Sequence, residues 1–278
     1  MGSSNRDYSK MMPRARTLYK YLSEDWEAFC EVCNLRWEDI EPNLMTGRLT
    51  KTDVLGSGYF GIVLKTAHKK LVVKVTSDKD EGFFSELILS NPKLRESPGL
   101  PYLFDVFQIE EWDAFVILRE DMHYGVGEIP ESSPILRSLP ILDSYGESLS
   151  RIDGKVLKLL DGLQAVDPEM SKRDVNLALS EARGLIQVEI LKTLTKLPQP
   201  KKSSNYYSIM EVIREALNTY GIALWDLHRL NLGKHKHDMS DLVKGLPPRK
   251  KGTIALLDVG GNIGTPAIES LIDSVNLS

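Results

Sequence analysis

Apolar side chains recur at helical spacing near the start of the chain and again in its second half. Between residues 14 and 36 the apolar positions repeat every three or four residues, which predicts an amphipathic helix. Similar patterns predict helices over 154–165 and 171–197, and another from Tyr206 to Tyr220 that stops at Gly221. We expect the first helix to pack on the part of the chain that follows it, and a partner-docking extension is the alternative.

Residues 48–122 have a different pattern, in which short β-branched and aromatic runs are separated by polar turns. The first two runs are joined by a short polar segment and predict a β-hairpin. A helical pattern follows over Asp80–Leu94, so this region predicts a small sheet with one helix. The predicted strands are Ile62–Leu64, Leu71–Val75, Leu103–Ile109 and Ala114–Leu118.

Composition narrows the class of protein. The 278 residues are 42% hydrophobic and 27% charged, which is ordinary for a globular protein. The formal net charge of -4 gives no general attraction to nucleic acid or to an anionic membrane. No apolar run approaches the roughly 18 residues of a membrane span, and the N-terminus lacks the apolar core of a secretory signal. We therefore expect a cytoplasmic protein.

The two cysteines, Cys30 and Cys33, form a C-x-x-C. This spacing permits a redox pair or half of a zinc site, but no further ligands lie near them in the sequence. Both cysteines fall within the apolar pattern of the predicted N-terminal helix. We expect them to pack in the core of a protein from a reducing compartment.

A glycine-rich segment leads into the predicted hairpin. Gly56, Gly58 and Gly61 have the spacing G-x-G-x-x-G, which alone fits a dinucleotide-binding loop, a kinase phosphate loop or a plain turn. A dinucleotide loop must open a helix, whereas this segment runs into a strand. The pattern therefore favours the kinase type, in which the backbone approaches phosphates. The predicted nucleotide contacts here are Gly56, Ser57, Gly58, Tyr59, Phe60 and Gly61.

Lys74 lies near the end of the second hairpin strand, where a lysine can reach the α- and β-phosphates of a nucleotide. Such a lysine is held by a carboxylate from the next helix, and Glu86 is the predicted partner. The segment after the last strand takes the place of a hinge, whose backbone would bind adenine between two apolar side chains. The predicted adenine contacts are Val63, Val72, Glu120 and Met122.

Two further motifs lie near the end of the chain. Asp226 and Asn231 have the spacing D-x-x-x-x-N, which supplies a carboxylate to orient an acceptor hydroxyl and an amide oxygen to bind magnesium. An apolar strand then ends at Asp258, followed by Val and Gly260, and this carboxylate would bridge magnesium to the phosphates. Each signal alone is weak, but five of them in this order are unlikely to arise by accident.

The order of these elements resembles the protein-kinase-like superfamily over about 50–122 and 205–264. The resemblance implies an α+β, two-lobed kinase-like fold with a β-rich N-lobe and a minimal, mostly helical C-lobe. It divides the chain into a helical extension (1–47), an N-lobe (48–122) and a reduced C-lobe (123–278). It also implies ATP and Mg²⁺, with Lys74, Glu86, Asp226, Asn231 and Asp258 as the working residues.

Three departures from the family pattern bear on function. Leu224 stands where a histidine usually precedes the catalytic aspartate, and His228 follows that aspartate, which is similar to the aminoglycoside and choline phosphotransferases. A basic segment containing Lys234–His237 and Arg249–Lys251 precedes the D-x-G motif. We expect it to be a solvated loop, with recognition of an acidic partner as the alternative. The stretch after Gly260 is too short for an activation segment, and this compact plan resembles the early protein kinases of podovirus-type bacteriophages.

The resemblance implies ATP-dependent phosphorylation of protein serine or threonine, with Asp226 orienting the acceptor hydroxyl. The expected partners are ATP and a protein substrate, in the host cytoplasm if the protein is viral, with no clear binding of nucleic acid. A small-molecule kinase of the aminoglycoside or choline type is the alternative. A non-catalytic nucleotide-binding module that retains the fold is a third hypothesis.

Overall fold

The computed structural model describes residues 11–50, 52–124, 202, 207–224, 231–259 and 262–263. They belong to two compact units, each described by itself. The first unit holds the described residues up to Tyr124 together with those from Gly233 to Val259. The predicted division placed everything after residue 122 in one C-lobe, whereas in the structure the residues from Gly233 to Val259 belong to the first unit.

The N-terminal segment forms two helices where the apolar pattern predicted one. α1 runs from Pro13 to Glu24 and α2 from Trp26 to Arg36. Asp25 interrupts them with a non-helical backbone, and its N–H still donates to the carbonyl of Tyr21 at the end of α1. The buried side chains of the two helices are Ala15, Leu18, Leu22, Trp26, Phe29 and Cys33.

A five-stranded antiparallel sheet lies at the centre of the first unit and, with these helices, gives an α+β structure. Its spatial order is β1-β2-β3-β5-β4. The four predicted strands are confirmed as β2 to β5. The strands are β1 (Val54–Ser57), β2 (Gly61–Lys65), β3 (Leu71–Thr76), β4 (Leu103–Ile109) and β5 (Ala114–Glu120).

The two faces of this sheet have different coverings. Because side chains alternate along a strand, Val73 and Val75 of β3 point away from Val72 and Lys74. Val73 and Val75 join one apolar core with the buried side chains of α1 and α2, and we call this the outer face. The inner face carries Val72 and Lys74, and it faces the next helix. The N-terminal helices therefore pack on the sheet, as predicted.

The predicted helix over Asp80–Leu94 is two helices in the structure, α3 (Lys79–Ser90) and α4 (Pro92–Glu96). Asn91 between them is extended, because the ring of a proline disfavours helical backbone at the preceding residue. The Asn91 side chain then caps α4 by accepting from the N–H of Leu94 at 3.0 Å.

A small second sheet completes the first unit, with the order β6-β8-β9. Its strands are β6 (Met122–Tyr124), β8 (Leu232–His235) and β9 (Ile254–Leu256). The segment between β8 and β9 is the one expected to be a solvated loop, and the structure packs it instead. Met239 is buried in the core of the outer face, and Arg249 lies against the ring of Tyr102, 3.7 Å from its centroid. Lys70 donates to the Asp238 carbonyl and to Asp241, each at 2.6 Å.

The described part of the second unit contains one long helix, α5 (Tyr207–Tyr220), and a two-stranded pair. The predicted end of this helix is confirmed, since Gly221 follows it with a φ of 63°. The pair consists of β7 (Ala223–Leu224) and β10 (Asn262–Ile263). The helices predicted over 154–165 and 171–197 lie outside the described residues.

The structure shows the surroundings of the two cysteines. Cys33 is fully buried and Cys30 is partly buried, and burial raises the pKa of the Cys30 thiol to about 11. Burial also raises the pKa of Cys33, so both thiols pack as apolar side chains rather than as a reactive pair.

Among the helices that the structure describes, none has the length and the apolar composition needed to cross a membrane.

Candidate active site

The amine of Lys74 lies at the centre of a charged cluster on the inner face of the sheet. Its Nζ donates to Glu81 of α3 and lies 3.2 Å from Oδ2 of Asp258, two residues after β9. Lys74 and Glu81 are almost completely buried, while 40% of the Asp258 side chain remains exposed. One lysine therefore joins a carboxylate inside the protein to a carboxylate that solvent can reach.

The partner of Lys74 is Glu81, and the prediction of Glu86 was wrong, since the Glu86 side chain is exposed. Residues five apart on an α-helix point about 140° away from each other, so both cannot face the sheet. Phe84 and Ile88 form the buried stripe of α3, and Glu81 lies on that stripe one turn earlier. The phase of the apolar pattern thus contained the signal for Glu81.

Two local features bring Glu81 to the lysine. Asp78 caps the start of α3 by accepting from the N–H of Asp80 at 3.0 Å, which places Glu81 in the first turn. Gly82 follows, and any Cβ at Gly82 would overlap the ring of Phe115 in β5. The missing side chain lets α3 approach the sheet closely beside Glu81.

The two carboxylates compete for one buried ammonium group. Burial alone would lower the pKa of Lys74, but the charges of Asp258 and Glu81 outweigh it and raise that pKa, so Lys74 stays protonated. Burial and the nearby Asp258 charge raise the pKa of Glu81 to about 7, against the opposing effect of Lys74 and Arg119. Glu81 therefore takes up a proton at a higher pH than an ordinary glutamate does.

The glycine-rich segment forms the tip between β1 and β2, with Gly56 and Ser57 paired in the sheet to Val63 and Ile62. The N–H of Gly58 donates to the carbonyl of Gly61 at 2.9 Å and closes the turn.

The glycines of this turn have different local needs. A Cβ at Gly61 would lie 2.6 Å from the carbonyl oxygen of Val75, so the close approach of β3 requires glycine there. A Cβ at Gly58 would meet nothing within 4 Å. Tyr59 and Phe60 occupy the exposed tip, with their rings edge to face and their centroids 4.6 Å apart. Gly58, one of the predicted nucleotide contacts, therefore has open space where its side chain would be.

The predicted hinge is held by a buried polar network. The N–H of Glu120 donates to the Tyr102 carbonyl at 2.9 Å, so this amide already has a partner. The Glu120 carboxylate accepts from the N–H of Tyr102 and lies 2.9 Å from Nδ1 of His235. Met122 pairs with His235 in the small sheet and is buried. Adenine binding by the backbone at Glu120 and Met122 stays a prediction.

The predicted adenine walls lie on the inner face. Val63 is directly opposite Lys74 in the β2–β3 pairing, and Val72 lies two residues before Lys74 on the same face. Both predicted walls are thus adjacent to the lysine, Val63 partly buried and Val72 buried.

The remaining predicted site residues are distributed unevenly over the described chain. Asp226 lies outside the described residues, and Asn231 belongs to the second unit, where it is partly buried. Within the described residues there is no group of three or more His, Cys, Asp and Glu side chains that could hold a metal ion. Asp258 offers a partly exposed carboxylate, the ligand type that Mg²⁺ prefers, so its chemistry fits the metal role predicted for it.

No model of a known protein family matches this chain, and no curated protein matches it. Its function is therefore inferred from its own residues.

Proposed function

We propose that this protein is an ATP- and Mg²⁺-dependent phosphotransferase with a two-lobed kinase-like fold that acts on serine or threonine of proteins. The observation that carries the proposal is the buried Lys74–Glu81 ion pair with Asp258 at the same amine. A lysine–glutamate pair and a metal-binding aspartate are the parts that must be in place together for phosphoryl transfer in protein kinases.

Lys74 has the chemistry to bind a phosphate oxygen. An ammonium group has three donors, and Glu81 and Asp258 engage two of them. The ion pair with Glu81 already holds the Lys74 side chain in one position, so little side-chain entropy is lost when a third acceptor binds. The glycine-rich tip adjoins this position through Val63, which is opposite Lys74 in the sheet. A phosphate chain between the tip and Lys74 would meet backbone N–H groups and one fixed positive charge.

Asp258 and the second-unit motif supply the remaining roles in the proposal. Asp258 and Asn231 would hold magnesium, which when bound neutralises negative charge on the phosphates. Asp226 would orient the acceptor hydroxyl and accept its proton. The compact order of motifs resembles that of the bacteriophage protein kinases, and this resemblance favours a protein acceptor. The test below also includes small molecules as acceptors.

The test measures transfer from ATP labelled at the γ-phosphate, with magnesium, a generic protein substrate and a cell extract. Wild type is compared with Asp226→Asn and Asp258→Asn, which keep the size of each side chain and remove its charge. Glu86→Gln serves as the matched control, because its side chain is exposed on the far side of α3. We expect label on protein in wild type and in Glu86→Gln, and loss of label in both aspartate variants.

Two other results would redirect the assignment. Turnover of an aminoglycoside or another small alcohol, without any labelled protein, would replace the protein acceptor by a small molecule. Nucleotide binding without transfer to any acceptor would contradict the enzyme assignment and favour the non-catalytic module.

A further inference from the structure

Arg119 is a cation on the inner face of the sheet that the proposed chemistry does not use. It lies opposite Val72 in the pairing of β3 with β5, while Ile117 lies opposite Lys74. Since alternate residues share a face, Arg119 projects to the same side of the sheet as Lys74. Placing a second cation beside a buried lysine is unfavourable unless acceptors hold it, so its position calls for a reason.

The guanidinium of Arg119 joins the sheet to the chain that carries Asp258. Its Nη1 donates to the carbonyl oxygen of Leu257 at 2.6 Å, and Asp258 is the next residue. The Arg119 Nε is buried and has no hydrogen-bond partner among the described residues.

The chain before Asp258 is fixed at two successive points. The N–H of Leu256 donates to the Gly99 carbonyl at 2.9 Å, at the end of β9. Arg119 then holds the carbonyl of Leu257 from the sheet side, and Asp258 follows with its carboxylate at Lys74. Arg119, Leu257 and Glu81 also line one cavity.

We propose that Arg119 is a positioning residue, which fixes the main chain at Leu257 so that the Asp258 carboxylate meets Lys74. The catalytic consequence of this inference rests on the proposed function, and its structural part does not. The bond from Arg119 to the Leu257 carbonyl has a charged donor, and such hydrogen bonds are stronger than those between neutral groups. Loss of Arg119 should therefore release Asp258 while leaving Glu81 and the outer face in place.

The experiment compares Arg119→Met, which keeps the length of the side chain, with Arg119→Lys, which keeps a charged donor. Arg36→Met is the matched control, because it removes a guanidinium that binds Asp105 from α2 and not the chain before Asp258. Hydrogen exchange of the backbone over 254–259 is measured in the full chain by mass spectrometry. The magnesium concentration for half-maximal transfer and the KM for ATP are measured in parallel.

We expect exchange over 254–259 to be about tenfold faster in Arg119→Met, with substantial recovery in Arg119→Lys and no change in Arg36→Met. The magnesium requirement should rise by about tenfold or more, with a smaller change in the KM for ATP, as for other residues that orient a metal ligand. Unchanged exchange over 254–259 in a folded Arg119→Met would overturn the proposal.

A uniform rise in exchange over the whole first unit, equal in Arg119→Met and Arg119→Lys, would also overturn it, because that pattern reports general packing. If wild type transfers no phosphate, the proposed function fails, and the exchange measurement alone still decides the role of Arg119.

Discussion

Glu81 is the carboxylate that binds the Lys74 amine, and the sequence reveals this only when the phase of α3 is taken into account. Its carboxylate is buried against Lys74, and Glu86, in the same helix, points to solvent. These two glutamates lie in the same helix but on different faces of it. They therefore give a matched pair of substitutions with opposite expected outcomes.

Glu81→Gln should lower the rate of phosphoryl transfer by about a hundredfold or more, because the Lys74 amine loses its charged partner. Glu86→Gln should stay within about twofold of wild type, as expected for an exposed side chain without a buried contact. Steady-state kinetics with labelled ATP measure both. Equal losses in the two variants would contradict the assignment of Glu81.

The titration of Glu81 gives a pH dependence of stability. Its pKa rises from an ordinary value of 4.5 to about 7 on folding, through burial first and the facing Asp258 charge second, with Lys74 and Arg119 opposing. Between these values the folded protein holds a proton that the unfolded chain has released. The free energy of unfolding should therefore fall as the pH rises from about 4.5 to 7, and then level off.

Urea unfolding across this pH range measures the effect, and Glu81→Gln, which cannot titrate there, is the control. The difference between wild type and Glu81→Gln should change with pH in the stated direction. A difference that is constant over the whole range would contradict a raised pKa for Glu81.

At the scale of elements, the two glycines of the β1–β2 turn separate packing from ligand access. Gly61→Ala should lower the free energy of unfolding by about 1–3 kcal/mol, because the new Cβ meets the Val75 carbonyl 2.6 Å away. Gly58→Ala should leave stability within about 0.5 kcal/mol, since its Cβ meets nothing within 4 Å. It should weaken nucleotide binding, because the proposed contact needs the backbone to approach a phosphate without a Cβ. Thermal unfolding and fluorescence titration with a labelled ATP analogue measure the two effects.

Stability that falls equally in both glycine variants would contradict the assignment. So would a Gly58→Ala variant that binds nucleotide as tightly as wild type.

The elements themselves could largely be predicted from the sequence, and the exceptions have physical causes. The strands of the sheet were predictable because short β-branched runs between polar turns favour pleated structure. The apolar repeat continues across Asp25 without a gap, so periodicity alone could not separate α1 from α2. Pro92 did carry a signal for the end of α3, and the apolar pattern that continues to Leu94 concealed it.

The residues of the candidate site that belong to local motifs could be predicted from the sequence. Those that depend on the phase of a helix or on the pairing of strands were less predictable. Lys74 and Asp258 were found from local motifs, and in the structure the Lys74 amine lies 3.2 Å from the Asp258 carboxylate. Glu81 depended on helix phase, and Arg119 depends on the pairing of β3 with β5, which no local pattern contains.

At the scale of the whole molecule, α1 and α2 are part of the core and not an appendage. Leu18 and Leu22 of α1 are buried in one cluster with Val73 and Val75 from the outer face of the sheet. Removing these helices would expose that apolar face to water, so we expect the first unit to lose stability without them.

Leu22→Ala should lower the free energy of unfolding by about 2–5 kcal/mol, because the side chain is fully buried and leaves a cavity. Leu35→Ala in α2 is the matched control, since 66% of Leu35 is exposed, and it should stay within about 0.5 kcal/mol of wild type. Chemical denaturation measures both. A small effect of Leu22→Ala would contradict the integral role of α1.

The first unit contains residues 233–259 as well as the described residues up to Tyr124, so it cannot be completed until late in synthesis on the ribosome. The sheet from β1 to β5 can form as soon as its strands emerge, but β8, β9 and Asp258 arrive only after residues 125–232 have been made. Contacts between residues so far apart in the chain form slowly and late in folding. Lys74 and Glu81 can therefore pair in the nascent chain before Asp258 exists, and the complete charged cluster is among the last features of the protein to assemble.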